Sequence, residues 1–307
     1  MASATTQEAT QNSVDATKVR DQENLAAREA ARRRGKFGLF FWLPVAWLVF
    51  IVFCAVFADL LPLVPNDEMN FLALGVPPFT EDLHVLGTDM QGRDILSRIL
   101  YGARVSLTVG IVATAIGMTF GLMIGMLAGY YRGWIETMIT LGLDTLLALP
   151  GLVVLLLATV IFGGSLTVVS LALGFLLIPA FARISRANTL NFAQREFVVA
   201  AKAMGARDLR IIVLEILPNV VLPVMAYGLV VVAGAIVIEG ALSFLGLSVP
   251  SPTPSWGGMI AEGRENLDDS PHISFIAAGF MFLTVLSFNL VGDTLRGKLA
   301  DLRESAL

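Results

Sequence analysis

Charge is scarce in this chain. Only 15% of its 307 residues are charged, whereas 56% are hydrophobic, and the mean hydropathy is +0.75. A soluble globular domain carries about 25% charged residues. The composition therefore excludes a soluble domain and indicates an integral membrane protein.

Cysteine, histidine and catalytic signatures are equally scarce. The single cysteine, Cys54, excludes an intramolecular disulfide and has packing as its expected role. His84 and His272 lie too far apart for their spacing to suggest a metal site, and we expect solvated or capping side chains. No GxxxxGK[ST], HExxH, GxSxG or CxxC signature occurs. We therefore expect no catalytic residue, metal or cofactor in this chain.

Long apolar runs dominate what remains. Each is close to the ~20 residues that a helix needs to cross the hydrocarbon core. The sequence predicts an all-α membrane protein with six transmembrane helices, at 39–58, 105–130, 135–162, 166–182, 220–242 and 273–292. The first run is too long for the core of a signal peptide and is expected to stay as an anchor.

The distribution of Lys and Arg predicts the orientation. Of the 21 Lys and Arg residues, seven lie in 1–37, one in 131–134, six in 183–219 and three after 292. Only four lie in the remaining segments. The positive-inside rule then places both termini in the cytoplasm. The expected domains are a cytosolic tail at 1–37, a six-helix transmembrane domain at 38–292 with a cytosolic loop at 183–219, and a cytosolic tail at 293–307. The segments 59–104 and 243–272 would form an external cap.

A stripe of small residues runs along the second span. It consists of Gly117, Gly121, Gly125 and Gly129, and Ala113 continues it. Small residues let helix backbones approach closely in lipid. The stripe predicts helix packing, either within this chain or with another subunit.

Polar residues and helix breakers occur at membrane depth. Asp144 and Glu239 need a partner or water, and Pro44, Pro150 and Pro179 are predicted to interrupt helices. A water-lined path, with Asp144, Pro150 and Glu239 lining or gating it, would explain them. Snorkelling of the two carboxylates to the interfaces is the alternative.

Between two spans lies the stretch FVVAAKAMGARDLRIIVLEILPN, at 197–219. We predict a helix over 194–204, a bend at Gly205, and a second helix over 209–216 that Asp208 caps and Pro218 ends. This stretch is amphipathic and is flanked by spans, which is typical of a surface that another protein binds.

Three segments carry recognisable motifs: HVLGTDMQGRDILSRILYGARVSL at 84–107, EGALSFLGLSVPSPTPSWGG at 239–258 and NLVGDTLR at 289–296. They resemble one known family, the C-type permease subunits of dipeptide and oligopeptide ABC importers. In that family, similar segments lie before the second span, at the fifth span and at the exit of the last span. The resemblance covers nearly everything from Leu39 onward and implies a type I ABC importer permease fold.

The loop 195–219 resembles the family's EAA coupling loop. The resemblance implies an ATPase-coupling role for the following residues: Glu196, Val199, Ala200, Ala201, Gly205, Leu217 and Pro218. The chain departs from the family where Val199 replaces a common Glu, where Glu215 replaces a usual His, and where Leu141 replaces an Arg. The last departure leaves Asp144 without a local counter-ion.

The resemblance implies a non-catalytic permease subunit of a peptide importer in the bacterial inner membrane. Its expected partners are a homologous second permease, two ATPase subunits that bind ATP and Mg, an extracytoplasmic peptide-binding protein and lipid, but no nucleic acid. A permease for nickel or another small solute is the alternative, since this signature reports architecture more than cargo. A secondary transporter fits poorly because of the large cytosolic loop, and a membrane scaffold fits poorly because of the helix breaks and intramembrane carboxylates.

Overall fold

The computed structural model describes residues 38–304, with side chains described through residue 299. The predicted tail at 1–37 lies outside the described residues. The chain divides into a unit at 1–43 and a unit at 44–307. The described part of the first unit is the start of the helix at Leu39–Val56, and the helices described after it belong to the second unit.

The described residues are helical apart from loops and one isolated bridge between Thr88 and Asp94. The helices are α1 Leu39–Val56, α2 Ile95–Tyr130, α3 Trp134–Ala148, α4 Gly151–Phe162, α5 Leu166–Phe192, α6 Glu196–Ala203, α7 Asp208–Phe244, α8 Trp256–Gly263 and α9 His272–Glu304. Short 3₁₀ turns lie at Ala58–Leu60 and Arg264–Asn266. The expected all-α class is confirmed.

Five of these helices, α1, α2, α5, α7 and α9, are long and apolar enough to cross a membrane. The pair α3 and α4 adds a sixth crossing if it is counted as one bent span, with a 76° bend at its break. Packing supports that count. Gly117 lies against Leu177 and Gly129 against Thr189, so α2 and α5 run parallel. The chain between two parallel helices must return across the bundle, and α3 with α4 is that return.

The same contacts define two ends of the bundle. The cap end carries the segments 59–94 and 245–271, and the α6 end carries α6 and the start of α7. Ser106 of α2 contacts Glu239 of α7 and Tyr130 contacts Asp208, so α2 and α7 are antiparallel. Gly240 lies against Met281 and Gly292 against Val230, so α7 and α9 are antiparallel as well.

Several spans are longer than the apolar runs. Helix α2 begins at Ile95, ten residues earlier than predicted, because the Asp94 carboxylate accepts a hydrogen bond from the Ser97 amide at 2.7 Å and caps the helix. Helix α5 continues to Phe192, and α9 continues to Glu304, into the predicted tail at 293–307. Hydropathy marks the lipid-crossing part of a helix, whereas caps mark its ends.

Of the three prolines predicted to interrupt helices, only Pro150 does. Leu149 is extended, with ψ of 132°, as the residue before a proline prefers. Pro44 and Pro179 lie inside α1 and α5. Pro179 is buried beside the glycine stripe, and such tight packing lets a membrane helix continue through a proline.

The glycine stripe faces α5 of the same chain. A Cβ added to Gly121 would lie 2.5 Å from the Cβ of Phe181 and 2.8 Å from the Ile178 carbonyl oxygen. Gly117, Gly125 and Gly129 meet the next turns of α5 in the same way. Backbone lies against backbone along three helical turns, which no larger residue permits.

We predict that Gly121→Ala lowers the stability of the purified chain by about 1–3 kcal/mol, because the new methyl group overlaps backbone atoms that cannot move aside. Thermal unfolding in detergent measures the effect. Gly279→Ala is the matched control, since a Cβ there has no atom of this chain within 4 Å. Equal unfolding temperatures for the two variants would contradict the packing argument.

Candidate functional site

Helix α6 lies at one end of the bundle and presents two different faces. Val198 and Ala201 are buried in a cluster with Ile211, Ile216 and α2 residue Met126. The opposite face is exposed and includes the predicted residues Glu196, Val199 and Ala200. Of the predicted coupling residues on α6, Ala201 thus faces inward.

Apolar side chains are prominent on the exposed face. Met204 is 82% exposed, Leu209 is 72% exposed and Val199 is 57% exposed. Val199 and Met204 precede the bend that follows α6, and Leu209 lies in the first turn of α7 after it. A group of large apolar side chains left exposed in this way indicates a protein-binding surface.

Gly205 makes the bend after α6. Its φ is +78°, a left-handed conformation that glycine adopts without the penalty a side chain brings. The Gly205 amide donates to the Lys202 carbonyl, and the Ala206 amide donates to the Ala201 carbonyl. This pair of hydrogen bonds is the Schellman arrangement that ends a helix at a glycine.

The second predicted helix differs from expectation. Helix α6 starts at Glu196 rather than 194, and the segment after Gly205 is the beginning of α7 rather than a separate helix. Asp208 makes no capping hydrogen bond, and Pro218 does not end the segment, so both predictions are wrong. Residues Ile211–Ile216 form a π-helical turn in which the Leu217 amide donates to the Ile212 carbonyl.

Pro218 explains the π turn physically. It has no amide hydrogen for the carbonyl four residues earlier, and its ring would clash with that carbonyl. Widening the turn relieves the clash and lets the helix continue into the span. Leu217 is half-buried and Pro218 is exposed, at the same end of the bundle as α6.

Contacts with α2 tie this region to the spans. The Asp208 carboxylate accepts a hydrogen bond from the Tyr130 hydroxyl at 2.6 Å. The Lys202 ammonium lies 4.7 Å from the centre of the same Tyr130 ring, a cation–π contact. The end of α2 therefore holds both sides of the Gly205 bend.

Asp144 has a counter-ion after all. The Arg183 guanidinium on α5 donates to its carboxylate at 2.6 Å, and a second ion pair joins Arg186 to Glu136 one turn further along. Leu141 leaves Asp144 without a counter-ion on its own helix, and the partner comes instead from a neighbouring helix. Both groups of the Asp144 pair stay about half exposed, at 51% and 58%.

Glu239 lies in a different environment. It is fully buried, and its carboxyl group accepts hydrogen bonds from Ser106, Ser243 and Ser248 at 2.9, 2.6 and 3.1 Å. The Ser255 hydroxyl, at the start of α8, donates to Ser243. Snorkelling of Glu239 is therefore wrong: one carboxyl group joins α2, α7, the following loop and α8.

The three residues predicted for a path do not form one cluster. Asp144 and Pro150 lie on the bent pair, and Glu239 lies near the cap end. Arg183, the partner of Asp144, is level with about residue 123 of α2. Ser106, a partner of Glu239, is some 17 residues nearer the cap end, roughly 25 Å along the helix axis.

The cap end holds buried charges that the sequence pattern did not single out. Arg93 donates to Asp89 at 2.6 Å and to Glu262 at 2.8 Å, and Arg98 donates to the same Glu262 oxygen. Both arginines are 1% exposed. This network joins the segment 59–94 to α8, residues far apart in the chain.

The two histidines lie in different environments. His84 is buried and its Nδ1 lies 3.1 Å from Asp94 Oδ1. His272 is half-buried, with Nε2 3.3 Å from the Thr88 carbonyl oxygen. The prediction of a solvated side chain is therefore wrong for His84.

Asp59 lies at the surface of the cap. Its carboxyl group accepts hydrogen bonds from Tyr101 and Arg104, which hold its pKa below the ordinary value.

Comparison with known proteins identifies the chain. The family of binding-protein-dependent transport system inner membrane components matches residues 121–301, more than half of its length. The chain belongs to this family. An inner membrane component is a permease subunit and is itself non-catalytic.

Two curated permeases are similar to this chain over most of its length. The glutathione transport system permease protein GsiD of Pectobacterium atrosepticum is 40% identical over 240 residues, which are 77% of this chain and 79% of the relative. GsiD of Escherichia coli O6:K15:H31 is 38% identical over 256 residues, covering 82% and 83%. The family resemblance drawn from the motifs is confirmed.

Solved structures show the fold. Two inward-facing crystal forms of the MetNI methionine ABC transporter, a selenomethionine soak and a native form, match with TM-scores of 0.55 and 0.53. Each is 16% identical and covers 67% of this chain and 97% of the solved one. The permease therefore has the expected type I ABC importer fold.

We predict that Glu239→Ala destabilises the permease by about 1–3 kcal/mol, because three buried hydroxyl groups lose their acceptor. Glu239→Gln retains a carbonyl acceptor at the same place and is expected to keep most of the stability. Thermal unfolding of both purified variants checks this. Identical losses in both would contradict the hydrogen-bonding role.

Proposed function

We propose that this chain is one of two homologous permease subunits of an ATP-driven importer of small peptides. Two ATPase subunits, which themselves bind ATP and Mg, attach at the α6 end. An extracytoplasmic binding protein delivers peptide at the cap end. The chain lies in a bacterial inner membrane with both termini cytoplasmic. The basic residues support this orientation, since the α6 end and the tails carry 17 of the 21 Lys and Arg residues.

The coupling role is supported by one observation above all. The exposed face of α6 and the bend after it carry the apolar side chains of Val199 and Met204, while the buried face of α6 is fixed to α2 and α7. A partner that grips Val199 and Met204 and then moves must carry the ends of two spans with it. Coupling of ATP hydrolysis to transport requires such a rigid link.

The path is proposed to run beside the bent pair. Asp144 and Arg183 are half exposed at membrane depth, where charges facing lipid are costly. Pro150 leaves backbone carbonyls near them unpaired by the helix. Cover by the second permease, with water between the two subunits, satisfies all of these groups. Glu239 is proposed to act at the cap end of the path by holding the loop after α7.

Peptide is favoured over nickel as the cargo. Both curated relatives are named as glutathione permeases, and glutathione is a tripeptide. The described residues contain no group of three or more His, Cys, Asp and Glu side chains arranged to hold a metal ion. The name of the relatives carries the argument, because a permease need not hold its cargo tightly.

Uptake by a deletion strain tests the cargo. Cells lacking this chain are expected to lose uptake of labelled glutathione or of labelled dipeptides, and a plasmid copy is expected to restore it. Labelled nickel taken up by the same cells is the control. Lost nickel uptake with normal peptide uptake would move the assignment to the alternative.

Gly205 tests the coupling role. Gly205→Val should reduce uptake and ligand-stimulated ATPase activity of the purified complex at least about tenfold, because a β-branched residue is strongly disfavoured at positive φ. Binding-protein docking at the cap end should survive.

Gly205→Asn is the matched control. Asn tolerates the left-handed conformation better than Val, and a Cβ at this position meets no atom of this chain within 4 Å. Activity is therefore expected to fall less in this variant. Full uptake by Gly205→Val in liposomes would refute the coupling role.

A further inference from the structure

The cap segment 58–92 carries charge of one sign only. It contains no Lys or Arg. Of its six acidic residues, Asp59 and Asp89 pair with arginines that follow the segment, and four are exposed without an ion pair among the described residues: Asp67, Glu68, Glu81 and Asp82. It also exposes large apolar side chains outside the spans, among them Leu72, which is 98% exposed, and Phe71 and Leu83. Exposed apolar side chains ringed by one charge indicate a docking surface for a partner of opposite charge.

The base of this segment is held rigidly. Gly92 has φ of +75°, and a side chain there would overlap the backbone of Asn70. Gly87 is packed in the same way against Val76. The buried Thr88 hydroxyl donates to the Ala73 carbonyl and accepts from the Val76 amide. The exposed side chains are therefore preorganised, which lowers the entropic cost of docking.

A cavity of about 300 Å³ opens among these side chains. Its apolar wall includes Met69, Phe71, Leu72 and Leu83, and Glu68 and His84 supply polar groups. It has room for one long side chain, with apolar contacts for a hydrocarbon stem and a carboxylate for a cationic head.

His84 is a fixed part of this cavity wall. Its Nδ1 lies 3.1 Å from Asp94 Oδ1, and Asp94 also accepts from the Ser97 amide. The side chain is only 2% exposed, and its Nε2 is buried beneath the wall. An incoming group therefore meets Glu68 as the exposed charged group of the cavity.

We propose that this cavity receives a lysine or arginine side chain of the extracytoplasmic binding protein. The stem packs on Phe71, Leu72 and Leu83, and the cationic head pairs with Glu68. The inference rests on the proposed function, which supplies the partner. Lipid is the poorer occupant, because anionic headgroups would face Asp67 and Glu68.

Binding to the whole complex tests the proposal. The permease complex is placed in nanodiscs, and the probe is the purified, substrate-loaded binding protein that the same uptake requires. Glu68→Lys and Leu72→Ala are each expected to raise Kd about tenfold or more, as central interface residues do. Both positions are exposed, so neither change is expected to prevent folding.

A matched control separates the cavity from the general acidic field. Glu81→Lys makes the same charge change on an exposed cap residue that does not line the cavity, and is expected to raise Kd less than about threefold. Equal losses for Glu81→Lys and Glu68→Lys would overturn the proposal. Rescue of Glu68→Lys by one Lys→Glu or Arg→Glu change in the binding protein would identify the incoming side chain.

Two further outcomes are decisive. An environment-sensitive dye on Leu72→Cys, in a Cys54→Ala background, should shift its emission only when the binding protein is added. A shifted emission before the binding protein is added would place residue 72 in lipid and refute the proposal. If wild-type complex binds and transports while the variants bind equally well, the cavity is wrong and the proposed function stands. If wild-type complex neither binds nor transports, the proposed function itself fails.

Discussion

The direct contact between the backbones of α2 and α5 is the constraint on which the rest of the structure depends. Inside a bilayer, helices gain little from hydrophobic association, so close dispersion contact between small residues must hold them together. Four glycines at intervals of four let α2 lie against α5 over three turns. Because the contact fixes the two helices parallel, the bent pair between them must cross the bundle, and α6 must follow at the opposite end from the cap.

The two ends of the bundle are held together by different kinds of contact. At the α6 end, apolar clusters and one tyrosine, Tyr130, hold a short helix whose outer face is open. At the cap end, buried polar groups dominate, including the arginine network and the serines around Glu239. Directional hydrogen bonds fix loops that have little helix or sheet of their own. The α6 end is thus held mainly by apolar packing, and the loops of the cap end are held by polar networks.

Much of this was predictable from the sequence, for physical reasons that can be named. Hydropathy predicts the spans because the bilayer demands about 20 apolar residues, and Gly205 predicts a bend because few other residues adopt its backbone angles. The partner of Asp144 was not predictable, since Arg183 is 39 positions away and no local pattern joins them. Buried partners such as Ser106 and Glu239 are likewise 133 positions apart. Local signals predict elements, and only packing of the elements pairs their polar groups.

The failure to predict the start of α7 has a different cause. A proline after a helical stretch ordinarily suggests a stop, and nothing in the letters around Pro218 reveals a widened turn. The π turn at Ile211–Ile216 holds one residue more than an α-helix of the same span would need. One extra residue corresponds to about 100° of rotation about the helix axis. Loss of a single residue here would therefore leave both flanking stretches helical while turning the exposed face of α6 relative to the span, so chain length in this turn is itself under structural constraint.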